Sequence, residues 1–177
     1  MPLSDWQDNQ PNSDEYADFY EGYISLVKFE NIIPVLIQQE KKVTALIHSL
    51  SPQQANYSYA EGKWSIRQVV GHLIDTERVM AYRALCISRG DQTSLPGFDQ
   101  DEYVANARFE ERDLQNLAAE YDALRNANIS MFSSFSQEQI KRRGIANEYP
   151  VSVRALVYII AGHEKHHLNV LKEKYDV

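Results

Sequence analysis

Apolar residues recur every three to four positions along four long stretches of this chain, a period that amphipathic helices satisfy and strands do not. Seven glycines and six prolines in 177 residues leave those stretches almost unbroken, so the expected fold is all-α. The first stretch covers residues 23 to 50, with Pro34 marking a kink or the true helix start. Ser51-Pro52 predicts one brief helical turn after it. The second opens at Ser65, whose capping box closes on Gln68 with Trp64 available as a staple, and stops at Gly90-Asp91. The third covers residues 110 to 135, followed by a short turn capped by Ser136 and Gln139. The fourth starts near Ser152, just after Pro150, and runs to about Lys174. No segment reads as a strand. Four such helices pack most economically as a four-helix bundle. One domain over residues 1–177 is expected, with residues 1–23 a loosely ordered tail or a short tyrosine-rich helix. The polar connection from Asp91 to Arg108 is too long for a plain bundle loop.

The composition, 44% hydrophobic and 24% charged, is that of an ordinary globular protein. No apolar run reaches the roughly eighteen residues a membrane helix needs. Met1 to Tyr20 lacks the charged-then-apolar layout of a secretory signal, so a cytoplasmic location and no membrane partner are expected. Cys86 is the single cysteine and excludes an internal disulfide. With a formal net charge of -7 and no basic run beyond Lys141-Arg142-Arg143, the chain would repel a phosphate backbone, which argues against nucleic acid as a partner.

Three of the five histidines crowd into Ala161-Gly162-His163-Glu164-Lys165-His166-His167. His163-Glu164-x-x-His167 has the letters of a zinc-peptidase helix. The longer form of that signature wants glycine at position 170 and histidine at 173, where this chain has Val170 and Glu173. On a helix His163 and His167 lie about 40° apart around the axis and one turn along it. Both continue the apolar stripe of Leu156, Ile160 and Leu171, so both should face the interior. Burying two imidazoles is costly unless their nitrogens are satisfied, and a metal does this well. The competing reading is a pair of ordinary histidines near a helix C-terminus, where positive charge is welcome.

His72, in Val69-Val70-Gly71-His72-Leu73-Ile74, is the candidate third ligand. Taken alone it would read as a satisfied core residue. Three neutral imidazoles leave a fourth position open, the arrangement of a catalytic rather than a structural metal. Asp75 could orient an imidazole, and Tyr82 and Arg83 could reach a substrate, with ordinary packing or salt bridges as the alternatives. Asp99 or Tyr103 could be presented by the 91–108 connection. His166 falls at the stripe's edge. Glu164 lies about 100° from His163 and is expected off the interior face, which weakens a role as base. His48, at the end of the first helix, and Cys86, about 21 Å along the axis from His72, fall outside the site.

Four segments taken together resemble the DinB-like family: Trp64-Ser65-Ile66-Arg67-Gln68-Val69-Val70-Gly71-His72-Leu73, Leu95-Pro96-Gly97-Phe98-Asp99, Pro150-Val151-Ser152-Val153-Arg154-Ala155-Leu156, and Ala161 to His167. The resemblance spans Asn31 to Tyr175. It implies a four-helix bundle binding a divalent metal, zinc or nickel, through residues matching His72, His163 and His167, and a homodimer. It also implies a small-molecule substrate. Characterised branches are thiol S-transferases and isomerases that use low-molecular-weight thiols such as bacillithiol or mycothiol, while many members are described only as metal-dependent hydrolases. The chemistry stays open between two activities: an open metal position activates water for hydrolysis or holds a thiolate for transfer. A non-catalytic bundle that binds metal or a partner protein is the rival from another class.

Overall fold

Side-chain caps start six of the eight α-helices among the described residues of the computed structural model, which describes Trp6 and Asn9–Val177. Helix α1 is Glu21–Ile24 and α2 is Ile32–Ser49, with Pro34 in the first turn of α2, where a missing N–H costs nothing. Helix α3 (Pro52–Ala55) begins with the Ser51/Gln54 capping box and a proline at its first position. Helix α4 (Ile66–Ser88) begins with the Ser65/Gln68 box: Gln68 N–H donates to Ser65 Oγ (3.2 Å) and Ser65 N–H to Gln68 Oε1 (2.9 Å). Asp99 caps α5 (Gln100–Ala107), and Asp113 caps α6 (Leu114–Ser133). Ser136 and Gln139 box α7 (Gln137–Ile140), and Ser152 caps α8 (Val153–Tyr175) through the Ala155 N–H.

Helix α4 packs along α8 and α6, and α2 along α6 and α8. Around the bundle the order is therefore α2, α6, α4, α8, so helices consecutive in the chain, α2 with α4 and α6 with α8, stand on diagonals. The α2–α4 connection carries α3, and the α6–α8 connection carries α7 plus a hairpin. The fold is mostly helical, as the periodicity predicts, and no helix of the described residues is long and apolar enough to cross a membrane.

Two expectations need correction, the absence of strands and the loose N-terminal tail. The stretch read as strandless contains a two-stranded antiparallel hairpin, β1 (Arg143–Ala146) and β2 (Tyr149–Ser152). Its two-residue turn holds Asn147 and Glu148 at φ 51° and 68°, the left-handed geometry that matches strand twist. The 91–108 connection is half helix, because Asp99 accepts from the N–H groups of Asp101 and Glu102 and so nucleates α5. The described part of the 1–23 tail is not loose. Residues 13–15 and 18–20 form 3₁₀ turns, Trp6, Tyr16 and Ile24 are buried, and Arg154 Nε donates to Glu15 Oε2 at 2.7 Å. Residues 1–5, 7 and 8 lie outside the described residues.

Two apolar clusters fill the interior, one reaching Leu36, Met80, Phe132 and Ala161, the other Val43, Ile74, Tyr121 and Leu171. On every long helix the residues between those markers include buried polar groups: Gln39 on α2, Thr76 and Glu77 on α4, Arg125 and Asn128 on α6, His163 and Glu164 on α8. A polar layer thus crosses the middle of the bundle.

Candidate metal centre

His72 sits in the second turn of α4 and His163 and His167 on successive turns of α8. His72 Nε2 is 2.9 Å from His163 Nε2, and His167 Nε2 is 3.1 Å from the same atom. One ligand atom from each of the three lies within 4.8 Å of the others. The two edges at His163 suit a shared ion, since metal–nitrogen bonds of about 2.0–2.1 Å at angles between 90° and tetrahedral give edges of about 2.9–3.4 Å, while the His72–His167 edge is bounded only by 4.8 Å. A hydrogen-bonded trio suits the geometry less well, because His163 Nε2 would face two partners with one lone pair or one proton.

Electrostatics favour the neutral, ligating form of all three rings. Burial pulls His72 down to about 4 and His167 to about 3, the latter helped by the neighbouring imidazoles. Burial and the other three histidines hold His163 well below the ordinary histidine value. Thr76 Oγ1 stands 3.4 Å from His72 Nδ1, a long contact, and with Nδ1–H donating there Nε2 presents its lone pair inward. The Trp64 ring lies 4.7 Å from that of His72 and walls the site on the α4 side.

His167 is the part-exposed member, and it opens onto a cleft of about 410 Å³ lined by Tyr59, Trp64, Asp101, His166 and Tyr175. Tyr175 Oη donates to the Trp64 carbonyl at 2.6 Å and fixes that wall. The volume is that of a small-molecule site.

Glu164 is corrected from an off-face residue to a buried one, 2% exposed. Helix α8 is enclosed by α4 on one flank and by α1 and α2 on others, so more than one of its faces points inward. Glu164 Oε2 accepts from Tyr121 Oη (2.7 Å) and Arg125 Nη2 (2.5 Å). Arg125 also donates to Glu77 from Nε (2.9 Å) and Nη2 (2.8 Å), and to the Leu36 carbonyl from Nη1 (3.2 Å). Asn128 Nδ2 completes the set by donating to Glu77 Oε1 at 3.0 Å. Burial pushes the Glu164 carboxyl up, with Arg125 pulling the other way. Thr76, Glu77, Arg125, His163 and Glu164 share the wall of one cavity of about 10 Å³, so this ionic network backs directly onto the histidines.

The other candidates disperse. Asp75 pairs loosely with Arg78 (3.9 Å) and Thr76, not Asp75, meets His72. Arg83 is buried and holds the 91–99 loop through the Pro96 carbonyl (2.5 Å), while Tyr82 is exposed. Asp99 is a helix cap, and the Tyr103 ring meets that of Phe98 at a tilt of 56°. The connection offers the cleft Asp101 instead.

Residues 36–171 match the model of the DinB superfamily. The chain belongs to that superfamily. A protein of Oceanobacillus iheyensis provisionally named a metal-dependent hydrolase is 26% identical over 132 residues, which cover 71% of this chain and 73% of that protein. YfiT from Bacillus subtilis, described as "a probable metal-dependent hydrolase with an unusual four-helix bundle topology", superposes with a TM-score of 0.71 at 17% identity, covering 92% of this chain and 89% of that one. At that identity the likeness shows the fold. Within this DinB bundle, sequence reasoning missed Glu77, Arg125 and Asn128. The signal was present: Arg125 and Asn128 continue the stripe of Leu117, Tyr121 and Phe132, where apolar residues belong.

Proposed function

We propose that this DinB-superfamily chain is a divalent-metal-dependent hydrolase of small molecules, with His72, His163 and His167 as the protein's ligands. The observation that carries the reading is the convergence of three imidazole nitrogens from two helices, each ring held neutral by burial. Three neutral nitrogen donors suit a borderline ion such as zinc or nickel. When bound, such an ion polarises a carbonyl and makes water acidic enough to supply hydroxide near neutral pH. The chain's own residues do the rest. Trp64 and Tyr175 build one wall of the cleft, His167 stands at its inner end, and the apolar packing above and below limits water to that opening. The relatives' descriptions as metal-dependent hydrolases support the same reading.

Protein made without a histidine tag is expected to carry close to one divalent ion per chain, and His72→Ala to lose it. Elemental analysis reads both. The loaded protein is then assayed on activated esters and amides beside a low-molecular-weight thiol with a model electrophile. Turnover of the esters or amides supports hydrolysis, and thiol conjugation alone overturns it. Untagged protein that is metal-free and cannot be loaded returns the chain to the non-catalytic class.

A further inference from the structure

The segment ahead of α2 lies outside the span that matches the superfamily model, which begins at residue 36, yet it presses on the histidines. The Tyr23 ring stands edge-on to His163, with centroids 5.2 Å apart at 89°, and meets His166 at 5.4 Å and 62°. Its backbone is equally close. A Cβ on Gly162 would lie 2.1 Å from the Tyr23 carbonyl oxygen, so α8 accepts α1 only because residue 162 has no side chain. Contacts on either side fix this docking. Lys165 Nζ donates to the Leu26 carbonyl (2.7 Å) and to Glu30 Oε1 (3.1 Å), and Tyr158 Oη donates to the Glu30 carbonyl (3.1 Å). Farther along α8, Arg154 holds Glu15.

We propose that the N-terminal segment is a working part of the metal site: Tyr23 is a positioning residue that fixes the His163 ring and covers that flank of the triad. The inference rests on the assignment of the triad as a metal site. An imidazole ligates only with its ring plane and nitrogen aimed at the ion, so whatever stops that ring from swinging contributes to affinity. His72 is fixed by Trp64 and Thr76, and Tyr23 plays the corresponding part for His163. With Tyr23 on one flank and Trp64 on the other, the approach left to a ligand is the cleft beside His167. Gly162 has its role through the same contact, since it lets the strap reach the ring next to it.

The test uses the full chain and cobalt(II) as a probe whose visible d–d bands report ligand geometry. Tyr23→Ala is expected to raise the metal dissociation constant about 10- to 100-fold, the usual range for residues that hold a ligand in place. It should also change the cobalt spectrum. Tyr23→Phe keeps the ring edge and should restore both. In the unmodified protein, coupling is reciprocal, so metal should slow amide exchange across Glu21–Val27. That measurement needs no variant and decides the matter if Tyr23→Ala fails to fold. Metal binding with unchanged affinity and spectrum in Tyr23→Ala, or with unchanged exchange in Glu21–Val27, overturns the role of Tyr23 alone. Absence of metal binding in the unmodified protein overturns the triad assignment and this inference with it.

Discussion

Arg125 illustrates how much a single side chain holds together here. It is 1% exposed and binds two buried carboxylates from two other helices. Arg125→Met would leave Glu77 and Glu164 buried without their cation, and the expected loss is about 3–5 kcal/mol in urea unfolding. Arg78→Met removes a half-exposed partner of Glu120 and should cost no more than about 1 kcal/mol in the same assay. Equal losses in the two variants would mean that the buried Arg125 network contributes no more than an exposed ion pair. Tyr121→Phe deletes one of the two donors to Glu164 Oε2 and belongs between them, at about 1–3 kcal/mol. Each of these residues sits on a helix whose period was readable. That Glu164 points inward was not, because a single-face reading of α8 cannot anticipate a helix enclosed on several sides.

At the scale of elements, local chemistry decides most boundaries. Ser65→Ala removes the cap that starts α4 just ahead of His72 and should cost about 1 kcal/mol, measured by thermal or urea unfolding. The N-terminal segment is anchored by Glu15. Burial alone would raise its pKa, but hydrogen bonds from Arg154, Ser152 and the Asn12 N–H outweigh that and bring it to about 2. The unfolded value is higher, at 4.5, so this anchor stabilises fully above that pH and is lost as pH falls toward about 2. Amide protection factors across residues 13–27, corrected for the intrinsic pH dependence of exchange, should therefore fall in that window. The long helices, their capping boxes and His72, His163 and His167 as inward-facing residues were legible, because periodicity and caps are local signals. The hairpin was not, since Asn147-Glu148 lacks the glycine that marks such turns and β2 contains Pro150. The packed N-terminal segment escaped notice for another reason: 3₁₀ turns carry no 3.6-residue period, and its apolar anchors Trp6, Tyr16 and Ile24 are spaced irregularly.

For the whole molecule, the histidines set an acid limit on the metal-free protein. Their folded pKa values lie below the unfolded value near 6.5, so the unfolded chain takes up protons first. Stability should fall as pH drops from about 6.5 toward about 4 and then 3, where His72 and His167 titrate in the folded state. Denaturant midpoints across that range check this. Adding metal at about 100 times its dissociation constant at neutral pH should raise stability by about 2.7 kcal/mol. The polar layer has a further consequence. Between purely apolar inner faces, a slip of one turn, about 5.4 Å, leaves no polar group stranded. Here any such slip would drive Arg125, Glu77 or Glu164 into one of the two apolar clusters and strip it of its partners. The layer therefore works as a key cut into the bundle's centre, and the one register it admits is the one that brings His72 level with His163 and His167.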